Sequence, residues 1–456
     1  MQRQSVFPAG RPRWFGGHWL LLLAAFLIAF PLLFRPFVHG MDPAGYYSWL
    51  RSALIDGNLD TSNEYEHYGK ANVGSSTSTG HRDNPYAIGS ALLWAPFFLV
   101  AHAWVLIGQR MGISWPADGY AAPYTFAVSC GSALYAWTAV VLTYRLARQL
   151  FNARTALLAV LSAWLASPLV FYQYAHPMMA HANDAFAYAL LLLAWFYLQK
   201  RQDAPHYALV GAAAGLCALV RNQNAIFVVI PLVEIGWRSV QIHRAGRDWH
   251  TVVGSTLIAV GSLSAAWWLT FAPQLVTWKV VFGVWLPGNP YASSGGGEFD
   301  WLHPHIVGVL LSTDRGLFVW TPVLALAVAG WPCLWKRNRR LAAFIVASFV
   351  LQLYIISAWS SWSGAAAFGQ RFFTNLTPGF GLGLAALAMR AQQNVRWRWL
   401  VAGGVLFVVW NGLLMLRYAL NDVPRAGPVS LDHLVCGQLE VVLRYGHRVS
   451  DLLLGR

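Results

Sequence analysis

The chain has 456 residues, of which 57% are hydrophobic and 11% charged. A soluble domain carries about 25% charged residues, so a water-soluble body of this size and a disordered chain are both excluded. The formal charge of +14 comes without an arginine-rich run or an aromatic-interleaved basic patch, which sets nucleic acid aside as a partner.

The first apolar window, 18–38, is too long for a good signal peptide and lacks a small-residue cleavage site. Arg3, Arg11 and Arg13 precede it, so it reads as an anchor with residues 1–17 in the cytoplasm. An acidic outer loop, 39–86, follows. The window 87–107 is ambiguous: it opens after Asn84-Pro85 and contains Pro96 and His102. Further windows near 121–144, 156–174, 185–199, 206–220, 225–240, 252–272, 316–335, 341–359, 374–389 and 399–416 approach the roughly 20 residues a crossing needs. With the first they predict about eleven transmembrane helices.

Charge arbitrates the ambiguous window. If 87–107 dips in and returns, the clusters Arg145/Arg148/Arg154, Lys200/Arg201, Arg238/Arg244/Arg247, Lys336/Arg337/Arg339/Arg340 and Arg390/Arg396/Arg398 all fall in the cytoplasm. If it crosses, they land outside, against the positive-inside tendency. The window therefore reads as a re-entrant or interfacial helix. A second outer loop, 273–315, holds Gly288-Asn289-Pro290 and a glycine-serine stretch ending at Gly297. Its tip, 288–299, is expected to order on substrate binding. The expected fold is an all-α polytopic membrane protein: one module over 18–240, a second over 241–418, and an outer tail over 419–456 in which Leu431 to Leu454 forms an amphipathic helix. The 24 Trp and 18 Tyr suit membrane interfaces. The four cysteines are scattered, with neither a disulfide framework nor a zinc spacing.

Three groups of residues carry candidate chemistry. Asp42 follows the first span, in Met41-Asp42-Pro43-Ala44-Gly45-Tyr46-Tyr47. A carboxylate there is placed to meet a lipid head group and an aqueous substrate together; it is equally a helix N-cap before a proline. Asp184, in His176-Pro177-Met178-Met179-Ala180-His181-Ala182-Asn183-Asp184, sits at the outer end of a span. Its alternative reading is an acid favoured by a helix dipole. His181 shares its helix face, which makes the two weak candidates for a divalent metal. Arg82, Arg221, Arg315 and Arg371 lie at the outer boundary against the charge trend. Guanidinium suits phosphate because it binds in a fork; snorkelling or local ion pairing is the other reading. The segment Trp359-Ser360-Ser361-Trp362-Ser363-Gly364 reads either as a sugar-stacking surface or as belt tryptophans. No serine-hydrolase elbow, zinc-protease motif or phosphate loop occurs.

The order of these features resembles the GT-C superfamily of integral membrane glycosyltransferases. One span leads to Asp42-Pro43-Ala44-Gly45-Tyr46-Tyr47, then Asp56-Gly57-Asn58-Leu59-Asp60 and Asn84-Pro85-Tyr86. The run Leu146-Ala147-Arg148-Gln149-Leu150-Phe151-Asn152 follows at a cytoplasmic turn, then a second outer loop with an acid, and later Gly369-Gln370-Arg371-Phe372-Phe373. The chain is similar to the bacterial branch related to protein O-mannosyltransferases and lipid A aminoarabinose transferases. The resemblance implies a sugar donor on a polyprenyl phosphate and transfer on the outer face of a bacterial inner membrane, with inversion. Its acceptor is a glycan, lipid or protein. It implies Asp42 as the first-loop acid and general base, Asp184 as the second-loop acid, and Arg371, Arg221, Arg82 and Lys70 for the donor phosphate. Tyr46, Tyr47, Glu64, His176 and His181 fall to acceptor or sugar contacts. Pro43 stands where the mannosyltransferases carry a second acid. The competing readings are a flippase for lipid-linked glycans, a polysaccharide polymerase or ligase, and a non-catalytic partner subunit.

Overall fold

The computed structural model describes residues 17–454 except 290 and 292–296, with side chains as far as 444. Arg3, Arg11, Arg13 and part of the 288–299 tip lie outside the described residues. The regular elements of the described chain are helices. Helix α1 is His18–Leu33, α2 Met41–Arg51 (continued by a π turn, Ser52–Asp56), α3 Ser62–His67 and α4 Gly89–Arg110. Next come α5, Ala122–Leu150; α6, Ala153–Leu165; α7, Pro168–Val170, winding into a π turn Phe171–Ala175; α8, His181–Leu198; and α9, Ala204–Val220. A 3-10 turn Asn222–Val228 leads into α10, Val229–Arg244, followed by α11, Trp249–Phe282. After the second loop come α12, Ile306–Leu311; α13, Leu317–Trp320; α14, Val323–Arg337; and α15, Arg339–Ala358. A 3-10 turn Arg371–Leu376 opens α16, Thr377–Ala391. Helices α17, Trp397–Ala419, and α18, Leu431–Leu454, end the order. Among the described residues, strand pairing is limited to the bridges Ser76–Arg82 and Phe299–Trp359.

The protein is a multi-pass membrane protein. Seven helices are long and apolar enough to cross, or eight when α6 and the segment from Pro168 count as one span bent by 63°. Helices α1 and α9 are apolar but shorter. Helix length thus does not reproduce the eleven expected spans, for identifiable reasons. Ser167-Pro168 breaks the 156–174 window, Thr321-Pro322 splits the 316–335 window into α13 and α14, and α8 begins with the polar residues His181, Asn183 and Asp184.

The bundle has one end of short turns and one of long loops. At the short-turn end, α6, α9, α11 and α15 each start on a side-chain cap: Asn152, Asp203, Asp248 and Asn338 accept from the backbone NH three residues on. Such caps satisfy NH groups that the helix itself leaves unpaired. The turns touch one another. Arg337 donates to the Leu150 carbonyl, Gln392 to Thr155, and Arg340 pairs with Glu234. The basic clusters therefore gather at this end. Helix α4 packs on α5 from His102 against Tyr124 back to Leu93 against Tyr135. These contacts lie in the half of α5 next to the long loops; by length and composition α4 is one of the seven helices able to cross, where the sequence reading expected a re-entrant or interfacial helix.

Two helix pairs approach through glycine. A Cβ on Gly211 of α9 would lie 2.0 Å from the Leu263 carbonyl of α11, and one on Gly215 would lie 2.8 Å from the Trp267 carbonyl. On α14 and α16, a Cβ on Gly330 would lie 2.0 Å from the Gly383 carbonyl, and one on Gly383 would lie 2.2 Å from the Ala327 carbonyl. Small residues let backbones close where lipid supplies no hydrophobic drive between helices. At the loop end, Arg315 is fully buried; it donates to the carbonyls of Ala367, Gly427 and Pro424 and pairs with Asp314 at 2.8 Å. Arg417, also fully buried, pairs with Asp422 at 2.6 Å and reaches the Leu434 carbonyl of α18.

Gly330→Val should lower the melting temperature of the purified protein in nanodiscs, because overpacking a tight contact costs about 1–3 kcal/mol. Gly403→Val, at a glycine with nothing within 4 Å of its added Cβ, should leave it unchanged. Scanning fluorimetry compares the two.

Candidate active site

Asp42 lies in the first turn of α2, but it is not the cap. Gly40, at φ 93°, occupies that position, and no side chain caps the helix. The carboxylate turns instead toward distant parts of the chain. Oδ1 accepts from the Tyr86 hydroxyl at 2.8 Å. Oδ2 meets Nη1 of Arg371, 329 residues away in sequence, at 2.5 Å. Asp42 keeps 26% of its side chain exposed and Arg371 14%. They line a cavity of about 250 Å³ with His39, Phe171, Tyr172, His176, Phe368 and Tyr418.

A second acid–arginine pair stands beside the first. Arg221 closes α9, with Nε 3.7 Å from Asp184 Oδ2 and Nη1 3.0 Å from His181 Nδ1. Asn224 donates to Asp184 Oδ1 at 2.7 Å. Asp184 does sit at the favourable end of its helix dipole, yet its partners come from α9 and the turn after it. Phe372 joins the two pairs: the Arg371 guanidinium lies 5.2 Å from its ring centre and that of Arg221 5.3 Å. Tyr172 packs 4.4 Å from the His181 ring, and its hydroxyl bonds both the NH and the carbonyl of Phe368, three residues before Arg371.

Burial works against the Asp42 charge, but Arg371, the Tyr86 hydroxyl and Arg221 outweigh it and hold the carboxyl below its usual range. Tyr86 is pushed far upward, by burial first and the Asp42 charge second, so it remains a donor. His176 is pushed down to about 4 by burial and then by neighbouring His39, which keeps its imidazole neutral.

The other candidates go elsewhere. Arg82 spends one guanidinium nitrogen on the carbonyls of Lys70, Ala71 and Val73 and lies over the Tyr65 ring; it closes its own loop. Lys70 is half-buried in that same loop. Glu64 is buried against Arg51 at 2.7 Å, where it ties α3 to α2. Tyr47 donates to the Gly119 carbonyl at 2.5 Å and packs on Phe98, a core role. Tyr46 stays near the site, its ring 4.9 Å from Tyr86. Sequence reasoning missed Tyr86, Asn224, Tyr172 and Phe372 as site residues, although Asn84-Pro85-Tyr86 and Arg221-Asn222-Gln223-Asn224 stand next to residues it singled out.

Asp184 and His181 do not fit a divalent metal. Both face Arg221, so an ion between them would meet a guanidinium, and no group of three His, Cys, Asp or Glu side chains that could hold an ion occurs among the described residues.

Comparison with known proteins agrees with this architecture. The crystal structure of ArnT from Cupriavidus metallidurans in the apo state matches with a TM-score of 0.51 at 13% identity, over 89% of this chain and 72% of that one. The fold is GT-C. Residues 124–275 match the family model described as dolichyl-phosphate-mannose-protein mannosyltransferase. The matched stretch holds Asp184 and Arg221, not Asp42 or Arg371. ArnT bound to undecaprenyl phosphate matches at 13% identity over 88% of this chain and 71% of that one, with a TM-score of 0.48. The archaeal oligosaccharyltransferase AglB from Archaeoglobus fulgidus, in complex with an inhibitory peptide and a dolichol-phosphate, matches at 14% over 93% and 54%, with a TM-score of 0.47. No curated protein matches the chain.

The depressed Asp42 value gives a stability prediction. A carboxyl lowered by folding contributes fully above its unfolded value of about 3.9 and loses that contribution as pH falls through the folded value. The difference in melting temperature between wild type and Asp42→Asn should therefore be flat from pH 5 to 8. A difference that shrinks between pH 7 and 5 would contradict the depressed value.

Proposed function

We propose that this protein is an inverting membrane glycosyltransferase that moves a sugar from a polyprenyl-phosphate donor to an acceptor hydroxyl on the outer face of a bacterial inner membrane. The observation that carries the proposal is the Asp42–Arg371 pair, part-exposed to a cavity, with Arg221 beside it. The acceptor oxygen attacks the anomeric carbon from the face opposite the phosphate. Its proton passes to Asp42, the bond from anomeric carbon to phosphate oxygen breaks, and the electron pair leaves with the lipid phosphate.

The phosphodiester starts with one negative charge and the leaving monoester ends with two. In this reading Arg371 and Arg221 meet that growth, and such electrostatic stabilisation is usually the largest catalytic term. While Arg371 is held by Asp42, the carboxylate is a weak base. A donor phosphate that draws Arg371 toward itself leaves Asp42 more basic and open to the acceptor, so donor binding comes first. Asp184, His181 and Asn224 act by holding Arg221. Arg82 and Lys70 have no part in this reading. The described buried charges (Arg51, Glu64, Asp83, Asp184, Arg221, Arg315 and Arg417) gather toward the long-loop end. A flippase would need some in mid-membrane.

The test offers a panel of polyprenyl-phosphate sugars to the purified protein in lipid and follows release of free polyprenyl phosphate. Asp42→Asn should lower turnover about 10²–10⁴-fold, the usual worth of a general base. Asp184→Asn should cost less, because it weakens the hold on Arg221 without touching the reacting atoms. No release from any donor by folded wild type, with candidate acceptors present, would sink the proposal.

A further inference from the structure

Phe372, the ring that joins the two arginines, is the inner end of an aromatic series that reaches the surface. Its centre lies 5.4 Å from Trp359. Trp359 stacks with Phe299 at 6.4 Å and 20°, and Phe299 stacks on Trp301 at 4.9 Å and 7°. Exposure rises along the series, from 3% at Phe372 to 40% at Phe299 and 48% at Trp301.

The backbone fixes the outer rings in place. Phe299 and Trp359 form an antiparallel bridge. Asp300 NH donates to the Ala358 carbonyl at 2.7 Å, and Ser360 NH to the Glu298 carbonyl at 3.0 Å. The Tyr354 hydroxyl donates to the Trp301 carbonyl at 2.8 Å. Exposed rings held this way lose little freedom when something binds. The rim is polar: Asp300 and His303 pair at 3.1 Å with both side chains exposed, and Glu298 is exposed beside them. An apolar patch with a polar rim marks an interaction site.

We infer that Phe299, Trp301 and Trp359 form an acceptor subsite for a carbohydrate ring, which presents its hydroxyl toward Asp42 along the line that Phe372 and Arg371 complete. A pyranose has one face of axial C–H groups and a rim of hydroxyls. The C–H face suits the electron-rich face of an aromatic ring, and the hydroxyls suit carboxylate and imidazole partners such as Asp300, Glu298 and His303. A bare acyl chain would leave that rim unused. The inference rests on the proposed transferase for its direction of transfer. The same sugar chemistry arises from a free glycan or a glycolipid head group.

Saturation-transfer NMR on the full chain in phosphatidylglycerol nanodiscs tests binding directly, with free gluco-, manno- and N-acetylglucosamine hexasaccharides and with glucosyl diacylglycerol in the disc. Wild type should give a signal from the axial ring protons of at least one sugar. Trp301→Ala should reduce it about tenfold, and Trp301→Phe should keep most of it. A signal from the free sugars supports a soluble glycan; one seen only in the disc supports a glycolipid. No sugar signal from wild type, or an equal signal from Trp301→Ala and Phe299→Ala, would overturn the inference and leave the rings as a bilayer-boundary belt. In the donor-release assay, Trp301→Ala should raise the acceptor KM about tenfold with the donor KM unchanged. If no donor is turned over, the transferase reading fails while the NMR arm still decides the subsite.

Discussion

A carboxylate and a guanidinium that are distant in sequence meet at the mouth of a membrane bundle, and the arrangement of the loop end follows from that meeting. Neither Asp42 nor Arg371 could be desolvated alone. Both are part-buried, and leaving either charge unpaired there would cost free energy. Their pairing brings the first outer loop onto the start of α16. Asp42 also holds the Tyr86 hydroxyl, three residues before α4 begins. The second pair, Asp184 with Arg221, obeys the same rule on α8 and α9. Two acids thus stand against two arginines in one small region of the loop end.

In this arrangement Asp184 and His181 both face Arg221, while Arg371 pairs with Asp42 at the cavity. A guanidinium can change partners within a turn of its side chain and remains charged throughout. Phe372 lies within reach of both cations, where a ring face favours positive charge. It gives each arginine a second hold that does not depend on its acid. Arg315 and Arg417 show the contrasting case. They are more deeply buried, they bond mainly to carbonyls and to acids close in sequence, and they pin the tail in place.

Much of the architecture is legible in the chain because it rests on local signals. Apolar windows, capping residues and basic turns each report on a few neighbours, and Asn152, Asp203, Asp248 and Asn338 begin helices where such residues should. Asp42, Asp184, Arg221 and Arg371 stand out for a similar reason, as charges in a chain with few of them. The pairings among them are not legible, because no periodicity links position 42 to 371. Arg82 misleads on the same basis: a boundary arginine looks like a phosphate ligand until the three carbonyls that claim it are seen. Helix length does not reproduce the eleven spans where prolines break apolar windows or polar residues open a helix, since hydropathy registers composition and not the bend at Pro168.

The glycine contacts acquire a meaning beyond packing when the arginines are traced back to their supports. Arg221 ends α9, which Gly211 and Gly215 clamp to α11. Arg371 precedes α16, which Gly330 and Gly383 clamp to α14. Each cation is thus the tip of a stiff two-helix strut, and the gap between the tips behaves like the jaw of a caliper set by backbone contact. A caliper of this kind resists adjustment through the helices. On the proposed transferase reading, accommodation of a different sugar would fall to the loops, because the helices that carry the two arginines are locked backbone to backbone.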